Sequence, residues 1–117
     1  MSQFFNPVLD ESKDFIEQVK KNETIDENTK IIGRWLYGRG IYTITSKNGE
    51  HFIGSRFPDG SGSERAITAI SIGNEITFAV PEGGIFANDV TVLKISPSGD
   101  LILIGDDGVL DTLQNIK

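Results

Sequence analysis

The chain contains no cysteine, which excludes disulfides and thiolate metal sites and is compatible with a reducing compartment. It also has a single histidine, His51. A Ser-His-Asp triad would have to use that one imidazole with Ser46 or Ser55, and neither serine sits in a G-x-S-x-G elbow. A histidine-based metal site lacks partners for the same reason. Basic residues are few as well: 11 Lys and Arg against 17 Asp and Glu, for a net charge of −6. That balance argues against general nucleic-acid binding, which rests on neutralising phosphates. No run approaches the roughly 18 apolar residues of a membrane span. The first residues, MSQFFNPVLDESKDF, lack the basic and apolar regions of a signal peptide. The expectation is a cytoplasmic protein with no membrane partner, no metal and no cofactor.

What is present suits one globular domain. The 117 residues are 38% hydrophobic and 24% charged, outside the range of disordered chains. A domain of this length buries roughly two-thirds of its unfolded surface, enough for one core. Charge is distributed unevenly. Residues 1–33 carry −3, residues 34–69 carry +2 and residues 70–117 carry −5.

The apolar period divides the chain. Residues 7–21 read as an N-terminal α-helix. Asn6 suits its N-cap and Pro7 its first turn. Val8, Phe15, Ile16 and Val19 form one stripe, with acids early and lysines late as the helix dipole favours. Residues 22–30 are a polar connector. From Ile31 the period becomes two, and residues 31–113 read as the β-domain. Candidate strands are 31–37, 40–46, 51–57, 65–72, 75–80, 89–96, 100–105 and 109–113. Asn48-Gly49 is the strongest turn, since a type I′ hairpin needs positive φ at both central positions. Gly73-Asn74, Pro97-Ser98-Gly99 and Asp106-Asp107-Gly108 mark others. The fold class is therefore mainly β: a small antiparallel β-barrel or curved sandwich of 7–8 strands with one helix packed on it.

The Asn48-Gly49 hairpin sets the faces. It places Ser46 opposite His51, Ile44 opposite Ile53, Tyr42 opposite Ser55 and Gly40 opposite Phe57. That face carries the core. The other carries Arg39, Ile41, Phe52 and Arg56. In the next hairpin Ile67, Ala69, Ile76, Phe78 and Val80 share a face. Leu101 to Ile104 is continuously apolar and reads as a strand buried on both sides.

All four arginines, the single Trp and both tyrosines lie between Arg34 and Arg65. These are the residue types enriched at binding hot spots. Arg39 and Arg56 share the outer face, where two planar guanidiniums suit a carboxylate or phosphate. The same face also reads as a solvated surface with Asp59 or Glu64 as internal partners. Residues 58–65, PDGSGSER, look glycine-rich enough for a phosphate cradle, but no lysine follows and the next segment is strand. They read as a mobile loop beside the arginines. The acids Asp106, Asp107 and Asp111 lack the ligand spacing of an EF-hand.

Gly33-Arg34-Trp35 resembles the G-x-W motif of lipocalins and related calycins. The resemblance implies an eight-stranded up-and-down barrel in which Trp35 closes one end and an Arg or Lys from a late strand packs over it. It also implies an interior suited to an apolar ligand. The late strands here offer no arginine, only Lys94 and Lys117. Parity puts Gly33, Trp35 and Tyr37 on one face, so Trp35 points inward. About 83 residues for eight strands make a barrel that its own side chains can fill.

The functional expectation is a non-enzymatic binding protein. It would take an apolar small ligand inside a calycin-like barrel, lined by Trp35 and Tyr37, or a protein partner on the Arg39/Phe52/Arg56 face. The alternative is an acidic inhibitor or immunity-type protein that neutralises a basic enzyme, favoured by small size and negative charge. A hydrolase built from dispersed carboxylates is a third reading, but no spacing selects a pair.

Overall fold

A computed structural model describes residues 28–71, 76–81 and 89–116. The expected helix at 7–21 and the Gly73-Asn74 turn lie outside these residues. The described chain forms eight antiparallel strands: β1 (Thr29–Tyr37), β2 (Gly40–Lys47), β3 (Glu50–Arg56), β4 (Gly62–Ser71), β5 (Ile76–Ala79), β6 (Val92–Ile95), β7 (Leu101–Gly105) and β8 (Gly108–Asn115). Each pairs with the next, and β8 returns to β1 to close a barrel. The sandwich alternative falls away, because closure leaves no unpaired edge.

Closure depends on local bends. The ladders slip between Ile31 and Gly33, between Ala69 and Ser71, and between Leu103 and Ile104. Bulges of this kind curve a strand and raise its twist, as a small barrel requires. The seam itself is short, with Trp35 opposite Asn115 and Leu36 opposite Gln114. The Ile116 amide extends it by donating to the Arg34 carbonyl at 2.9 Å.

The barrel has two ends. The lower end carries the β2–β3 turn, the β6–β7 turn and the end of β8. The upper end carries the β1–β2, β3–β4 and β7–β8 turns. All eight strands contribute to one interior cluster: Trp35, Tyr42, Ile44, Ile53, Ile67, Phe78, Leu93, Leu101, Leu103 and Leu113, joined by Val90 just before β6. Burying each aliphatic or phenyl side chain stabilises the fold by about 1.5–3 kcal/mol.

The β2–β3 register is as the hairpin predicts: Ser46 opposite His51, Ile44 opposite Ile53 and Tyr42 opposite Ser55. Asn48 has φ 54° and Gly49 φ 87°, the paired positive angles of that turn. Several boundaries differ. The connector gives way to strand at Thr29, two residues before Ile31. Strand β4 begins at Gly62, so the second half of 58–65 is strand rather than loop. The first half is tied down: Phe57 N donates to Ser61 O at 2.9 Å, and Gly60 N to Phe57 O at 3.0 Å. Strand β7 is buried on one side only. Leu101 and Leu103 point in, while Ile102 and Ile104 are half-buried. A single closed layer has only one interior, so a continuous apolar run does not imply two buried faces.

Candidate functional site

Trp35 sits inside the barrel at 1% exposure. Its indole N–H donates to the Gly99 carbonyl at 2.7 Å, in the β6–β7 turn. The fit depends on Gly33, since a Cβ there would stand 2.7 Å from two ring carbons of Trp35. The G-x-W spacing thus has a local cause: in a strand, residues two apart share a face, and the bare glycine leaves room for the ring. The turn is itself braced. Ser96 N donates to Asp100 O at 2.9 Å and Gly99 N to Ser96 O at 2.8 Å. Asp100 Oδ1 accepts the Asn115 amide at 3.2 Å, and Asn115 Nδ2 donates to the Arg34 carbonyl at 3.3 Å. Asn115 is opposite Trp35 on β8 and lies against Gly99. A neutral amide and a backbone carbonyl therefore meet Trp35 where the resemblance implies a basic side chain.

Toward the upper end the interior becomes polar along one wall. Tyr37 is half-buried and stacks on Tyr42, with ring centroids 4.9 Å apart. Tyr42 pairs with Ser55 on β3, and Ser55 with Ser63 on β4. Ser55, at 4% exposure, is the buried polar side chain among the described residues. Its Oγ accepts the Ser63 amide at 3.3 Å and lies 3.5 Å from the Ser63 hydroxyl. Two residues further along β4 comes Arg65, opposite the fully buried Ile53. Burial alternates along β4: Arg65 is half-buried and Ile67 buried, while Glu64, Ala66 and Thr68 are exposed. Arg65 therefore occupies the inward side of its strand. The facing wall, from β5 to β7, is apolar: Phe78, Leu93, Leu101 and Leu103.

The expected site residues thus separate. Trp35 and Tyr37 belong to the interior. Arg39 is exposed in the β1–β2 turn, Phe52 is half-buried on the outward side of β3, and Arg56 is exposed at its end. Arg56 stands opposite Ile41, as expected. Ile41 itself is 0% exposed and outside the interior cluster, so this outer face is not uniformly solvated. Neither Arg39 nor Arg56 makes an ion pair among the described residues. Asp59 is occupied elsewhere. Its Oδ1 accepts the Ser61 hydroxyl at 2.6 Å and the Ser61 amide at 2.8 Å. Those bonds, the hydroxyl first, lower its pKa from 3.8. Sequence reasoning placed Ser55 on the core face opposite Tyr42, as the structure has it, but missed Arg65 and Ser63 as inward polar groups. The signal was available in the parity that links Arg65 to Ile67 and Ala69.

No helix among the described residues is long and apolar enough to cross a membrane. Comparison with protein-family models, curated proteins and solved structures found no match.

Proposed function

We propose that this barrel is a non-enzymatic, calycin-like binding protein that takes a small, largely apolar ligand at its upper end. The observation that carries this reading is a difference in depth inside the barrel. Trp35 and its Gly99 bond seal the lower interior. Above, the inward-facing Tyr37, Arg65 and Val80 are only half-buried, and Ser63 is exposed. Tyr37 and Val80 also pack directly on the core cluster. Inward-facing groups that meet solvent beside a dry core give an apolar ligand a surface to cover. Barrels of eight strands are just wide enough for a small ligand above packed side chains. Titration with a neutral, environment-sensitive apolar fluorophore tests this. Saturable binding, reduced by Tyr37→Ala, is expected, and no saturable binding would sink the reading.

A protein partner on the outer face is a second reading. It is favoured by the exposed Arg39 and Arg56, which lack ion pairs among the described residues. Such guanidiniums suit a partner's carboxylates. Capture of an acidic partner that survives Arg39→Glu with Arg56→Glu would count against it.

A further inference from the structure

We propose that the upper half of β8 is a docking edge for an extended, basic segment of another protein, which adds to the barrel as a further antiparallel strand. This surface lies outside the interior, and the inference stands apart from the small-ligand reading.

The edge is open because the seam is short. β1 meets β8 only at Trp35–Asn115 and Leu36–Gln114. Continuing that register brings β1 to its end at Tyr37, opposite Leu113. Residues 108–112 run on beyond it, with β7 as their one strand neighbour among the described residues. Ladder bonds alternate from side to side along an antiparallel strand, so every second residue of this stretch turns its N–H and C=O away from β7. The Thr112 amide donates to the Asp111 carboxylate at 2.8 Å, a side-chain oxygen in place of a neighbouring strand's carbonyl.

The side chains say what fits there. Val109 and Leu110 are 66% and 51% exposed, and an exposed apolar edge is a template for strand addition. Of the usual guards on such an edge, neither lysine nor proline occurs in β7 or β8. The guards present are the bulge between Leu103 and Ile104 and the exposed carboxylates of Asp106, Asp107 and Asp111. This hairpin carries no Lys or Arg to balance them, so charge selects the occupant. Two copies paired edge to edge would bring three carboxylates from each onto one ribbon, and like charges across strands are destabilising. A segment with lysines or arginines among apolar residues meets the same edge with complementary charge.

The probes are three short peptides titrated into the full, isotope-labelled chain and followed by amide NMR. One alternates lysine and valine, one glutamate and valine, and one lysine and proline. The lysine–valine peptide is expected to bind saturably, with the largest shifts at residues 108–113, and more weakly as salt rises. The glutamate–valine peptide lacks the charge, and the lysine–proline peptide keeps the charge but cannot form a ladder; neither should bind. Asp111→Lys removes an attraction and adds a repulsion, and should weaken binding about tenfold. Glu50→Lys makes the same charge change at the exposed lower end and should leave it unchanged. Should Asp111→Lys not fold, Asp107→Lys in the exposed turn decides in the same way. No binding of the lysine–valine peptide overturns the proposal, as does equal binding of the lysine–proline peptide or equal weakening by Glu50→Lys. Slow hydrogen exchange at every amide from Val109 to Thr112 in the chain alone would mean that the edge is already occupied, and also overturns it. A dimer in sedimentation that Leu110→Lys abolishes would make the occupant a second copy and overturn it too.

Discussion

At the scale of single residues, the lower end is governed by the fit between Gly33 and the Trp35 ring. A methyl group at position 33 would overlap that ring, and overpacking of this kind costs about 1–3 kcal/mol. Gly33→Ala is therefore expected to destabilise the wild type and to cost much less in a Trp35→Leu background. Chemical denaturation of the four proteins in that cycle measures the coupling; additive effects would show that the two residues do not interact. Trp35 was legible because a two-residue period puts it on the face of Tyr37. Its bond to Gly99 was not, because that contact spans 64 positions of chain and no local pattern encodes it. Arg65 was legible in principle, one step of parity from Ile67, but its charge directs attention to the surface. Charged side chains are seldom inside, and the prior hid the exception. Arg39, Phe52 and Arg56 were placed on their strands and turn correctly, while the full burial of Ile41 beside them had no signature in the alternation.

At the scale of elements, turns with a chemical requirement were read best. Asn48-Gly49 fixed the β2–β3 register to the residue, because few dipeptides accept two positive φ values. The β3–β4 connection was read worst, since serine and glycine suit loop and strand end alike. The structure there is held by Asp59, which caps Ser61 through both the hydroxyl and the amide. A carboxyl that titrates below its unfolded value stabilises the folded turn above that value. The contribution is lost as pH falls through the folded pKa. The 57–61 turn should thus loosen only on acidification below about pH 3.8,. Carbon-detected NMR titration of the Asp59 carboxyl should give a midpoint under 3.8, and Ser61→Ala should raise it. A midpoint at or above 3.8 in the wild type would mean that the cap is not formed in solution.

At the scale of the whole molecule, seven of the eight ladders join consecutive strands and one joins the first to the last. Sequence period announced the strands, and their number fell within the expected seven to eight. It did not announce closure, which depends on bulges at Ile31/Gly33, Ala69/Ser71 and Leu103/Ile104. Each is a one-residue irregularity inside an otherwise alternating run. Closure relies on Gln114, Asn115 and the Ile116 amide. Removing residues 114–117 should leave the inner hairpins paired while β1 loses its second partner. Hydrogen exchange would then show faster exchange at Leu36 with β3 protected; uniform protection would refute the role of the seam. The same seam orders events in time. Hairpins between neighbouring strands close short loops and form quickly, whereas β1 meets β8 only after about 80 residues have been drawn into a ring, the slow kind of contact. Trp35 stands on that seam and donates across it to Gly99. The emission of the chain's one tryptophan is therefore a clock for the last step of folding, recording when the ring shuts rather than when the strands appear.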